Sequence, residues 1–119
     1  MTTLYGIKNC DTIRKARRWL KQQDIEYRFH DLREDGINKT RLNAWIKALG
    51  WEQLLNRRGT TWRQLPASVR DGIDRKSAVN VMLEQPAIIK RPVLEHDRQL
   101  YLGFSEARYA EIFQTGAHP

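Results

Sequence analysis

Leu4-Tyr5-Gly6-Ile7-Lys8-Asn9-Cys10-Asp11-Thr12-Ile13-Arg14-Lys15-Ala16-Arg17-Arg18-Trp19-Leu20-Lys21-Gln22 decides how this chain of 119 residues folds. Thr3–Ile7 is short and apolar-leaning, with Gly6 inside it, and reads as a first strand that exits through Lys8-Asn9. From Asp11 to Gln22, Ile13, Ala16 and Leu20 recur at helical spacing with Trp19 beside them. Arg14, Lys15, Arg17, Arg18 and Lys21 fill the rest of that helix, mostly in the turns where cations suit the dipole. Ile25-Glu26-Tyr27-Arg28-Phe29 then alternates apolar and polar, as a half-buried strand does. Strand, helix and strand within thirty residues make a right-handed βαβ unit with a parallel pair.

Beyond this unit, His30-Asp31-Leu32-Arg33 leads to a polar turn at Glu34-Asp35-Gly36. A second helix runs from about Lys39 to Leu49, with Leu42, Trp45, Ile46 and Leu49 on one face and Gly50 as its stop. Trp51–Leu55 reads as a helical turn and Asn56–Arg63 as a basic loop. Short helices follow from Pro66 and over about Lys76–Glu84. The apolar segment Ile88–Glu95 pairs with Leu100–Phe104 across a turn at Asp97-Arg98. Ser105 caps a last helix that turns Tyr109, Ile112 and Phe113 inward, and the tail Gly116–Pro119 is expected to fray. This order predicts an α/β fold: a mixed four-stranded sheet with helices packed on it. It is the thioredoxin arrangement in one domain, residues 1–119. A helical insertion at about 39–84 separates the βαβ half from the β-hairpin-α half.

With 21 basic and 14 acidic residues the formal charge is +7. Anionic partners fit this balance, and so does a generally basic surface with no dedicated patch. The Arg14–Lys21 face lacks the interleaved aromatics of a base-stacking platform, so the sequence carries no strong nucleic-acid signal. No apolar run reaches the roughly 20 residues that span a bilayer, and no basic-then-apolar leader opens the chain. A cytoplasmic protein with no membrane partner is the expectation. His30, His96 and His118 are scattered, so no metal site and no bound cofactor are expected.

The chain has one cysteine, which rules out an internal disulfide. A lone cysteine is most often a small buried hydrophobe. Cys10, however, falls where the first strand ends and the first helix begins, the end of an α/β sheet at which sites form. Unpaired first-turn amides stabilise a thiolate there. Lys8 and Arg14 add cations nearby in sequence, while the Asp11 carboxylate opposes them. Thr12 is placed either to donate to the sulfur or to stabilise the first turn. The four tryptophans read as core or near-core, with Trp62 the exception because it shares a loop with Arg57 and Arg58.

The run from Leu4 to Ala16 resembles the N-terminal motif of the arsenate-reductase/Spx family, most of all its YffB branch. Leu54–Trp62 and Pro86–Pro92 extend the likeness over nearly the whole chain. The resemblance implies a thioredoxin-like fold and makes Cys10 the nucleophile. Redox-switch members carry a second cysteine three residues on, where this chain has Ile13, so an external thiol such as glutathione must resolve a mixed disulfide. The family's arsenate reductases surround the cysteine with three arginines. Arg91, before Pro92, matches one. Asn56 stands nearest to the second, followed directly by Arg57 and Arg58, and Gly103 replaces the third. Arsenate binding by three guanidinium groups is therefore not implied, although the remaining forks suit an anion. By local sequence the Arg91-Pro92 bond at a strand start is trans; by the resemblance it is cis, beside the cysteine.

Two readings follow. The first is a monothiol, glutathione-dependent reductase of disulfides or oxyanions. In it Cys10 attacks, Arg91 with Arg57 or Arg58 holds the anion, and Lys8, Asn9, Thr12 and Pro92 complete the binding site. The second is an Spx-like regulator that binds RNA polymerase without a Cys-x-x-Cys switch.

Overall fold

In a computed structural model, residues 1–114 are described, and the tail Gly116–Pro119 lies outside them. The elements run β1 (Thr2–Gly6), α1 (Asp11–Gln22), β2 (Arg28–Asp31), α2 (Lys39–Leu49), α3 (Trp51–Leu54), α4 (Thr60–Arg63), α5 (Ala67–Asp71) and α6 (Arg75–Glu84). A 3-10 turn at Pro86–Ile88 precedes β3 (Val93–His96), β4 (Gln99–Leu102) and α7 (Glu106–Phe113). The chain divides into two compact units. One is Met1–His30 with the chain from Arg91 onward, and the other is Asp31–Lys90.

The first unit carries the mixed four-stranded sheet, ordered β2-β1-β3-β4, that the element order predicts. β3 runs antiparallel to β1, with Leu4 opposite Leu94 and Tyr5 opposite Val93, and β4 returns antiparallel to β3. The β3–β4 turn falls at Asp97-Arg98, both at positive φ (50° and 70°), the backbone a tight two-residue hairpin requires. α1 buries the face that its spacing marks, Ile13, Ala16, Trp19 and Leu20. Ala16, Trp19 and Leu20 meet Leu4, Leu94 and Tyr109 in one core cluster, against which Ile112 and Phe113 of α7 also pack. Ser105 caps α7, accepting from the Arg108 N–H at 3.1 Å.

The strand expected over Ile25–Phe29 pairs only from Arg28. The helix exit explains the delay: Asp24 turns at φ 54°, and the Ile25 N–H goes back to the Leu20 carbonyl at 3.0 Å. The alternation still holds, because Ile25, Tyr27 and Phe29 all lie against the core. Arg17 fixes this return, donating from Nε to the Tyr27 hydroxyl at 3.0 Å with its guanidinium 4.1 Å from the Phe29 ring centre.

The second unit is helical. α2, α3 and α6 pack together around Leu42, Trp45, Ile46, Leu54 and Met82. Two differences from the sequence reading lie here. The stretch Asn56–Arg63 is not all loop: Arg63 and Gln64 N–H groups reach the Gly59 and Thr60 carbonyls, closing one helical turn. Nor does Ile88 begin a strand. Ile89 forms an isolated bridge with Leu55, the Lys90 N–H donates to the Leu54 carbonyl at 2.7 Å, and sheet pairing starts only after Pro92. Pro92 has no N–H to give a ladder, which sets that boundary. Asp31 is buried and organises the polar turn, accepting from the Arg33 and Glu34 N–H groups at 2.8 and 3.0 Å.

Tyr109 is 0% exposed, and among the described residues its hydroxyl meets no hydrogen-bond partner. Burial pushes the phenol well above its ordinary pKa, outweighing the pull of Arg108. An unsatisfied buried hydroxyl costs desolvation, while the ring itself supplies packing. Tyr109→Phe is therefore expected to hold or raise stability, by up to about 1 kcal/mol. Tyr109→Ala is expected to lose about 3–5 kcal/mol. Urea denaturation of the two variants checks both, and a destabilised Tyr109→Phe would show that the hydroxyl is satisfied.

Candidate functional site

Cys10 stands at the N-cap of α1 with extended backbone (φ −110°, ψ 130°), and its own carbonyl accepts the Arg14 N–H at 3.0 Å. The cap makes no side-chain hydrogen bond of the Ser or Asp kind. The thiol is half-buried and in no disulfide. Burial pushes its pKa up. The Ile13 N–H, a hydrogen bond and the positive charge from the Arg91 side chain, and the Thr12 N–H together outweigh burial and hold it below the ordinary thiol value. These are the unpaired amides of a helix's first turn plus one guanidinium, the setting that favours a thiolate.

Strand register explains how a residue eighty positions away reaches the sulfur. β1 and β3 pair with Tyr5 opposite Val93. This register puts the start of β3, which Arg91 and Pro92 directly precede, at the end of β1 from which the chain enters Cys10. The Arg91-Pro92 bond is cis. The Pro92 carbonyl accepts the Gly103 N–H at 2.9 Å, tying this corner to the end of β4.

The remaining expected residues divide. The Thr12 backbone amide lowers the thiol pKa, the smallest of the contributions to it. Lys8 and Asn9 are exposed in the turn before Cys10. Arg14, expected to lend its charge to the thiol, is instead ion-paired with Asp11 one turn earlier in α1. That pair occupies both the expected helper and the expected opponent. Arg57 and Arg58 belong to the second unit. Gly103, which stands in place of the third arginine, has φ +86° with open space where a Cβ would sit. An arginine there has room but a strained backbone, so Gly103→Arg is not a clean restoration.

Gly6 was not among the expected site residues. A Cβ on it would come 2.3 Å from Ile13 Cδ1 and 2.8 Å from Ile13 Cγ1, and Ile13 is 0% exposed. Glycine at this strand position lets the first turn of α1 lie directly on β1. A glycine inside a strand is the sequence signal for such an approach.

The sequence model of the ArsC family matches residues 5–112. An uncharacterized protein of Haemophilus influenzae is 42% identical over 113 residues, 95% of this chain and 99% of that one. The global transcriptional regulator Spx of Lactiplantibacillus plantarum is 25% identical over 108 residues, 89% of this chain and 81% of its own length. Among solved structures, a YFFB protein matches with a TM-score of 0.89 at 43% identity, covering 93% of this chain and 97% of its own. An arsenate reductase (ArsC) related protein from Brucella melitensis matches at 0.78 and 50% identity, covering 95% and 94%.

Two substitutions separate the forces on the sulfur. Arg91→Ala removes a hydrogen bond and a charge, and is expected to raise the Cys10 pKa with the fold intact. Gly6→Ala forces Ile13 to shift and is expected to cost about 1–3 kcal/mol, while the thiol pKa stays close to that of the unaltered protein because the first-turn amides belong to the helix that Cys10 caps. Alkylation rate against pH reads both. A pH profile unchanged in Arg91→Ala would remove the guanidinium from the site.

Proposed function

This chain belongs to the ArsC family, and from that premise we propose that it is a monothiol, glutathione-dependent reductase of disulfides or oxyanions with Cys10 as nucleophile. The observation that carries this reading is the place of Cys10 at the N-cap of α1, with its thiol pKa lowered by the Ile13 and Thr12 amides and by the Arg91 guanidinium. Together they stabilise the thiolate, which is the attacking species. The Cys10 thiolate attacks the glutathione sulfur of a mixed disulfide, forming a Cys10–glutathione disulfide and releasing the other thiolate. A second glutathione thiolate then attacks the glutathione sulfur of that adduct. It leaves oxidised glutathione and restores Cys10. The chain itself holds one cysteine and so offers no second thiol for this step. Arg91 holds the anionic part of the substrate beside the sulfur, with Lys8, Asn9, Thr12 and Pro92 forming the surrounding surface.

The Spx relatives give weight to a second reading, a regulatory protein that binds RNA polymerase. Ile13 at the position of the switch members' second cysteine removes the disulfide switch but not a binding surface. Capture of polymerase from lysate by a protein whose Cys10 is inert would favour this reading over the first.

Mass spectrometry after exposure to oxidised glutathione is expected to show one glutathione adduct, on Cys10, that reduced glutathione removes. A thiol pKa at or above about 8.5 with no adduct would defeat the reductase reading. Arsenate turnover is expected to be poor, because Gly103 supplies no guanidinium. Efficient reduction of arsenate by the unaltered protein would refute that.

A further inference from the structure

Arg57, Arg58 and Arg63 fall within seven residues of the second unit, all exposed, and among the described residues none of them pairs with a carboxylate. Their surroundings differ. Arg63 donates from Nη1 to the Arg58 carbonyl at 3.0 Å, and so braces the loop. The Arg58 backbone N–H is tied to Asn56 Oδ1 at 3.0 Å, and among the described residues its side chain makes no hydrogen bond, ion pair or ring contact. The Arg57 guanidinium lies over two indole rings, 5.8 Å from the Trp51 centroid and 5.5 Å from that of Trp62. The loop beneath is anchored. The Asn56 N–H donates to the Ile88 carbonyl at 2.9 Å, and a Cβ on Gly59 would come 2.9 Å from Asn56 Nδ2, so the chain doubles back tightly.

A guanidinium held by aromatic faces loses rotamer freedom before any ligand arrives, yet its in-plane N–H groups remain donors. That is preorganisation: the ordering cost of the long side chain is met in the free protein rather than on binding. Arg58 has no such support and must be ordered by the ligand itself.

We infer that Trp51 and Trp62 are positioning residues that hold Arg57 as the anion-gripping cation of this loop, for carboxylates or oxyanions, and that Arg58 does not share the role. This rests on the reading above that the protein handles anionic substrates, and it chooses between two arginines which the sequence leaves equivalent.

Calorimetric titration of the full chain with sodium sulfate and, separately, with S-methylglutathione tests it. The first probe is an oxyanion, and the second carries glutathione's carboxylates without its thiol. Arg57→Ala is expected to weaken binding about tenfold, the loss of a charge-assisted pair. Arg58→Ala is expected to stay within about twofold. Trp62→Leu keeps Arg57 but is expected to lose about three- to fivefold, with Trp51→Leu similar and Trp62→Phe restoring most of the affinity. Melting temperatures of the set show whether a variant has simply unfolded, and rescue by phenylalanine distinguishes positioning from bulk packing. Equal losses from Arg57→Ala and Arg58→Ala, a neutral Trp62→Leu, or no binding of either probe would overturn the inference. The thiol reading fails separately: an ordinary Cys10 pKa beside the expected titration series would leave this anion site standing and remove the reductase.

Discussion

The absence of one methyl group governs the Cys10 site. Gly6 lets the Ile13 side chain lie against the backbone of β1 at a separation that a Cβ would not permit. Ile13 is fully buried, so it has no room to retreat without disturbing a packed interior. The first turn of α1, with Cys10 as its N-cap, is thereby pressed onto the end of β1. β3 completes the arrangement from the other side. Its register with β1 is pinned by the alternation of inward and outward side chains, and a slip of one residue would reverse them. Arg91, two residues before β3, therefore starts from the end of the sheet at which Cys10 lies, and its side chain lowers the thiol pKa.

The high positive charge is dispersed into separate tasks. Arg14 closes an ion pair with Asp11, and Arg17 braces the return from α1 to β2 against Tyr27 and Phe29. Arg108 donates to the Leu102 carbonyl at 3.1 Å, with its guanidinium 5.8 Å from the Tyr101 ring. Arg63 stiffens its loop through a carbonyl. Each uses the planar fork or the cationic face of arginine in a way lysine does not match. A formal charge of +7 thus describes many local contacts more than a single basic patch. Arg91 differs in having its charge directed at a thiol.

How much of this was legible in sequence depends on the range of the interaction. α1 and the β3–β4 turn are written locally, in a 3.6-residue period and in an Asp-Arg pair between apolar runs. The late start of β2 was not. It depends on where the Ile25 N–H finds a partner, and alternation alone does not carry that. α4 was hidden because Thr60–Arg63 has no apolar period to display, and its single turn is closed by backbone bonds. At the site, Cys10 was legible from its place between strand and helix. Arg14, four residues after Cys10 in sequence, is engaged with Asp11 in space, which its closeness in sequence does not reveal. Arg91 came only through family resemblance, since a contact across eighty residues leaves no local mark. Gly6 carried a signal, a glycine in a strand, that points to a close approach without saying what approaches.

Ile13 links the packing of α1 on β1 to the chemistry open to Cys10. In redox-switch members of the family its position holds the second cysteine, whose sulfur closes the disulfide. Here the same position supplies a branched apolar side chain, and that side chain fills the space against Gly6. The backbone N–H at this position is available to the Cys10 sulfur whatever the side chain, because it belongs to the helix's first turn. Replacing a thiol by isoleucine therefore keeps the amide that stabilises the thiolate and gives up the internal resolving group. In exchange it gains buried apolar surface, on the order of 1–2 kcal/mol for the added carbons. Packing at this position and a disulfide switch are alternatives, because one side chain cannot be both a buried filler beside Gly6 and a mobile thiol within bonding reach of Cys10. With one cysteine in the sequence, Cys10 has no internal thiol with which to close a disulfide.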